Sequence, residues 1–209
     1  SKISALNGIR GGRIKGRPSL NEVAFTGRVD LFPFATIDPG LEQSLRFGVS
    51  TFVGGLDNGD NAKDPGRSAG KRLEIYSADF SYSLWRFTLR GAMAYLRIED
   101  ARKIGNGAAS EIFGMFGEIS VRVFPETWRE GFLSKFEVVL FFRYDDYNTQ
   151  YRTPRGVVKN PAGNRQDYTF GFALQILPNL VFKADYQIRD DKTTNNLPDL
   201  MNFGVGFQF

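Results

Sequence analysis

A two-residue period running from about residue 21 to the last position constrains this chain more than any other feature. The closing stretch FGVGFQF puts Phe203, Val205, Phe207 and Phe209 on one parity and Gly204, Gly206 and Gln208 on the other. Chain ends fray into water and seldom hide apolar surface. Rings that alternate to the final residue therefore imply a strand with two different surroundings. About eight similar segments precede it. NEVAFTGRVDLF opposes Val23, Phe25, Val29 and Leu31 to Glu22, Thr26, Arg28 and Asp30, and QSLRFGVSTFV opposes Leu45, Phe47 and Val49 to Arg46, Gly48 and Ser50. EIYSADFSYSL, FTLRGAMAYLRI, FGMFGEISVRVF, DYTFGFALQIL and LVFKADYQIRD read the same way, and KFEVVLFFRYDDY does so with Val139 and Phe141 blurring the pattern.

Alternation alone also fits a soluble sandwich. Two further features point elsewhere. Ionised residues sit in mid-strand on the polar parity, and the connections alternate in length. LWR (84–86) and LPN (177–179) are tight turns, with PETWREG (125–131) somewhat longer. Between them lie long loops at about 55–71, 100–110, 148–165 and 190–199. FPFATIDPGLE (32–42) is a long member of the short-turn side. Strands of about ten residues with short turns at one end and long loops at the other describe an antiparallel transmembrane β-barrel of the bacterial outer membrane. Trp85 and Trp128 fall at short-turn ends, and Tyr144, Tyr147 and Tyr151 near a long-loop end, as interfacial aromatic girdles would.

Composition agrees. The 209 residues hold 20 Phe, 8 Tyr and 23 Gly, yet mean hydropathy is only −0.29. No apolar run approaches the roughly 20 residues of a spanning helix; VVLFF (138–142) is the longest of note. There is no Cys and no His, which removes disulfides, thiolate chemistry, imidazole catalysis and His-ligated zinc from this chain. A net charge of +4 with interleaved signs implies no nucleic-acid partner. No cofactor is expected.

The ending resembles, through Phe203, Val205, Phe207 and Phe209, the C-terminal signal that the barrel-assembly machinery reads in bacterial barrels. Beyond that, SALNGIRGGR, AFTGRVDLFP, LRFGVSTFVGG, YSLWRFTLRGAMAYLRIED and LVFKADYQ resemble the C-terminal half of the phosphate-selective porin O/P family. The resemblance implies a porin of 16 to 18 strands in all, a homotrimer, and transport of anions. Strand parity bears on completeness. Nine strands counted back from a periplasmic end put residues 1–20 outside the cell as a basic, Gly-rich loop, with residues 21–209 forming strands. Barrels ordinarily have an even strand number with both termini in the periplasm. This reading expects preceding strands; a small closed barrel of 8 or 10 is the competing view.

In a wide barrel the polar parity lines water. Arg28, Arg46, Arg90, Arg122, Arg143, Lys183 and Arg189 are the candidate pore-lining cations, and Arg10, Arg13, Lys15 and Arg17 form a loop that could fold inward as a constriction. Fixed cations favour anionic solutes, and guanidinium groups hold phosphate or carboxylate bidentately. Against this, Asp30, Asp79, Glu118, Glu137, Asp145, Asp167 and Asp185 share the face, so the arginines could merely pair across strands, and basic loops also meet lipopolysaccharide.

Fainter signals remain. DNGDNAKD (57–64) offers oxygen ligands without an EF-hand's spacing and reads as a solvated loop. Asp145–Asp146 and Asp190–Asp191 are expected at strand tops, where a carboxylate-only hydrolase could keep a site; a charged rim is the plainer reading. The leading function is therefore a non-enzymatic porin passing small hydrophilic, anion-biased solutes. A non-conducting barrel acting as adhesin, anchor or export domain is the alternative.

Overall fold

The computed structural model describes residues 3–9, 23–34, 43–55, 72–193 and 197–208. Nine strands form a single antiparallel sheet in strict chain order. They are β1 Phe25–Leu31, β2 Gln43–Gly55, β3 Arg72–Leu84, β4 Phe87–Ile98, β5 Glu111–Arg122, β6 Glu137–Arg152, β7 Asn164–Leu177, β8 Leu180–Asp191 and β9 Leu200–Phe207. The expected strand number and the all-β, antiparallel class hold. β1 and β9 are the two edges of the sheet.

Local chemistry explains the connections. Leu84 pairs with Phe87 and Leu177 with Leu180, so two residues close each hairpin. Trp85 turns the first with φ 51°, the left-handed region that tight hairpins require. Pro178, with its fixed φ and missing donor, ends β7. The longer β5–β6 connection folds as two 3-10 turns, Glu126–Trp128 and Gly131–Lys135, packed around a nearly buried Phe124 that meets Phe136 at 4.8 Å.

At the opposite end, the β4–β5 loop contains one four-residue helix, α1 Ala101–Ile104. β6 runs past the expected loop start at 148, through a register shift opposite Glu111–Phe113, to Arg152. The extension exists because Gln150, 1 % exposed, is held there: its side-chain amide donates to the Gly107 carbonyl at 2.5 Å and its side-chain oxygen accepts from the Asn160 amide at 2.5 Å.

The usual relation between polarity and burial is reversed over most of the sheet. Val49 (56 %), Met93 (53 %), Ile119 (48 %) and Phe170 (46 %) are exposed in mid-strand, while Ser120, Glu137 and Asp167 on the other parity are buried. A sheet in water hides its apolar face under a second layer. Here no second layer covers the apolar face among the described residues. The polar side chains shield one another, as they do on the concave side of a curved sheet.

Candidate functional site: the charged belt of the polar face

Pairing register aligns the polar parity into cross-strand rows. One row runs Arg46, Ser81, Arg90, Glu118, Arg143, Thr169, Gln187, and the next runs Asp30, Gly48, Asp79, Ala92, Phe116, Asp145, Asp167, Arg189. Arg28 lies one row beyond, opposite Ser50. Each pair of adjacent rows is offset by two residues along a strand, so guanidinium and carboxylate groups interdigitate.

The contacts follow from that offset. Arg28 and Arg46 both hold Asp30 and Asp79, with N–O distances of 2.7, 2.9, 2.8 and 2.5 Å. Gly48 lies in register between the two aspartates, and a Cβ there would collide with the Arg28 guanidinium and the Asp79 carboxylate. Arg90 pairs with Glu118 at 2.5 Å and Arg143 with Asp145 at 2.6 Å. Arg122 donates to the Trp85 carbonyl and so belongs to the short-turn end. Lys183 stands 3.9 Å from Asp185, beyond hydrogen-bond reach, with its ammonium 4.4 Å from the Phe141 ring centre. Arg143 likewise lies over Phe116 at 4.0 Å. Phe141 of β6 and Phe116 of β5, aromatic rings on the polar parity, are thus platforms for cations. Arg189 faces Asp167 across β7–β8; Asp167 accepts from Gln187 through Oδ2 at 3.1 Å while its Oδ1 has no partner among the described residues.

All seven predicted lining cations therefore share the polar face, and of the acids weighed against them Asp30, Asp79, Glu118 and Asp145 are direct partners, while Glu137 pairs with Arg129 instead. Within the belt, Arg28, Arg46, Arg90 and Arg143 are ion-paired with Asp30, Asp79, Glu118 and Asp145, whereas Arg189 faces Asp167 in register without a salt bridge. Arg10, Arg13, Lys15 and Arg17 lie outside the described residues, as does Phe209. Phe203, Val205 and Phe207 project from the apolar face of β9, each more than 60 % exposed. The expectation of carboxylate pairs at strand tops is corrected for Asp145 and Asp146. They sit inside β6 on opposite faces, Asp145 on Arg143 and Asp146 accepting from the Tyr144 hydroxyl at 3.3 Å. No group of three or more acidic residues able to hold a metal occurs among the described residues, and DNGDNAKD lies outside them.

Sequence reasoning missed the cap at the long-loop end. There the polar parity turns apolar: Leu73, Ile98 and Ala101 are buried against Phe52, Ile75, Ile104, Ile112 and Ile9. Residues 3–9 fold back on this end through a Ser4–Gly8 bridge. The Ala5 amide donates to the Asn106 carbonyl, and the Thr149 hydroxyl donates to the Ala5 carbonyl at 2.5 Å. The signal was present in the isoleucines on the polar parity, but it shows only once the register is known. Just before α1, Asp100 accepts from the Lys103 ammonium at 2.5 Å and raises that lysine's pKa above its ordinary value.

The parity that is apolar in mid-sheet is charged at the same end. Glu74, Arg97, Glu111 and Arg152 follow one another across β3 to β6, with Arg72 beside Glu74. One row inward lie Tyr76, Tyr95 and Phe113.

What the fold and the belt define is an antiparallel β-sheet protein whose apolar face is bare and whose polar face is a charge-matched surface. No protein-family model matches the chain, and no solved structure matches it significantly. It is similar to an uncharacterized protein of Aquifex aeolicus (strain VF5), 25% identical over 205 residues that cover 93% of this chain and 43% of that protein. The chain thus spans less than half the length of that relative.

Proposed function

We propose that this sheet is part of the wall of an outer-membrane β-barrel, closed by further strands of a longer chain, and that the barrel is a porin for small hydrophilic solutes. The observation that carries the reading is the reversed burial: bare Phe, Val, Leu and Met on one face, shielded ionic groups on the other. A face of that size left in water would drive aggregation, whereas hydrocarbon needs no second layer. The order of side chains along the outward parity supports it. From Phe87 to Tyr95 the strand climbs about 27 Å, or about 21 Å along the normal at a tilt near 40°, comparable with the apolar band of about 25 Å in such barrels. Trp85 lies beyond one limit and Arg97 beyond the other.

The resemblance to the phosphate-selective porin O/P family and the alternating β9 support the same reading, as does a relative more than twice as long. Mechanistically, transport would be size exclusion with an electrostatic bias and no covalent step. Ion pairing silences most of the belt, so the anion bias rests on the cations with open donors, Lys183 and Arg189. Conductance of the full-length protein in planar bilayers tests the proposal. Discrete channels with a reversal potential favouring chloride in a KCl gradient are expected; no conductance above background overturns it in favour of a non-conducting barrel.

A further inference from the structure

We infer that Asp167 is a specificity-determining residue of the proposed pore, a built-in competitor that sets how far Arg189 is offered to anions in the lumen. The inference rests on the porin reading and deepens it, naming the residue that tunes the anion bias.

The pattern Arg-x-Asp occurs four times on the polar parity, at 28–30, 143–145, 165–167 and 189–191. Residues two apart on a strand share a face at about 6.6 Å, a span that an arginine side chain covers. The first two pairs close, at 2.7 Å for Arg28 and Asp30 and 2.6 Å for Arg143 and Asp145. The other two do not. Arg165 instead donates through Nε to the Ala162 carbonyl at 2.9 Å. Asp191 accepts from the Thr193 amide at 2.8 Å and from the Thr193 hydroxyl. Asp167 and Arg189 are the two members left over, and they lie opposite each other across β7–β8.

Their charges meet in register without a bond between them. Asp167 is 6 % exposed, and only its Oδ2 is occupied, by the Gln187 side-chain amide at 3.1 Å. Its Oδ1 is buried with no partner among the described residues. The strand on the other side adds a second carboxylate. Asp145 stands in register with Asp167 across β6–β7, and Arg143 is committed to it through three hydrogen bonds of 3.0, 2.8 and 2.6 Å. Like charges opposite one another destabilise a sheet, and a carboxylate withdrawn from water requires compensation. Arg189 is the cation placed to supply it. A solute anion calls on the same guanidinium, so wall and solute compete for its donors. Because Asp167 is shielded from water and salt, its field acts on Arg189 with little screening. Asp167 thus acts through Arg189 as a positioning residue and need not touch the solute.

Reversal potentials of the full-length protein in a KCl gradient, measured as a double-mutant cycle, test this. Asp167→Asn is nearly isosteric and is expected to raise the chloride-to-potassium permeability ratio about threefold. Arg189→Gln lowers the ratio, and adding Asp167→Asn to Arg189→Gln produces no further change. Heat-modifiable electrophoretic mobility reports folding. If Asp167→Asn does not fold, Asp167→Thr removes the same charge with a strand-forming residue and gives the same rise. An equal gain with and without Arg189 would make Asp167 an independent wall charge, and an unchanged ratio in the charge-removed variant would make Arg189 already free; either result overturns the inference. Both leave a conducting porin, whereas a wild type without channels removes the porin reading and this inference with it.

Discussion

Arg28 on β1 reaches across β2 to Asp79 on β3, with 2.9 Å between Nη1 and Oδ2, and it passes directly over Gly48. The missing Cβ is what permits two arginines and two aspartates from three strands to share one cluster. Replacing Gly48 with Val overpacks that space and is expected to cost about 1–3 kcal/mol. Urea unfolding of the vesicle-inserted protein measures it, and an unchanged midpoint would show that the cluster has room to spare.

Charge matching in the belt makes selectivity respond in opposite directions to two substitutions. Asp79→Asn leaves Arg28 and Arg46 to share Asp30 alone, so anion preference is expected to rise. Lys183→Gln removes an ammonium that no carboxylate holds within hydrogen-bond reach, so anion preference is expected to fall. Reversal potentials in a KCl gradient read both, and shifts of the same sign would contradict the assignment of these groups to one aqueous face.

Neighbouring positions on β4 should differ sharply in their tolerance of charge. Met93 lies mid-strand on the bare apolar face, 53 % exposed, whereas Ala94 lies on the polar parity between Ser77 and Gly114. In hydrocarbon, Met93→Arg costs about 2–4 kcal/mol, while Ala94→Arg is accommodated among small neighbours facing water. In an aqueous protein Met93→Arg would be nearly neutral or favourable, because that side chain is already exposed. Refolding yield into vesicles, compared for the two variants, separates these outcomes.

Gln150 ties the β4–β5 loop to the β6–β7 loop through Gly107 and Asn160. Gln150→Ala leaves buried backbone groups unpaired, at about 1–3 kcal/mol. Faster amide hydrogen exchange is expected over residues 105–110 and 158–163, with the mid-strand amides of β3 to β5 unchanged. Uniform protection loss across the sheet would instead make Gln150 a determinant of the whole fold.

The strands and their two faces were legible in the sequence because a period of two is a local property. Each residue's parity follows from its neighbours in the chain, and Phe47, Met93 or Ile119 declares its side without reference to any partner. The two hairpins at Trp85–Arg86 and Pro178–Asn179 were legible for the same reason. The expectation that arginines would pair across strands was also available, since both signs occupied one parity.

Partnership itself was not readable, because it depends on register. That Arg28 and Arg46 share Asp79 and that Gly48 lies beneath them follow from offsets between strands, with Arg28 and Asp79 51 residues apart in sequence. The cap was hidden for a related reason. Leu73, Ile98 and Ile112 look like stray apolar residues until three strands bring them together under α1 and residues 3–9. Sequence alone determined the alternation, the strand number and the two faces, since these follow from backbone geometry repeated along the chain. Only tertiary structure decided which charges neutralise one another and which remain open, because ion pairing acts over a few ångströms and those distances exist only once the strands are aligned.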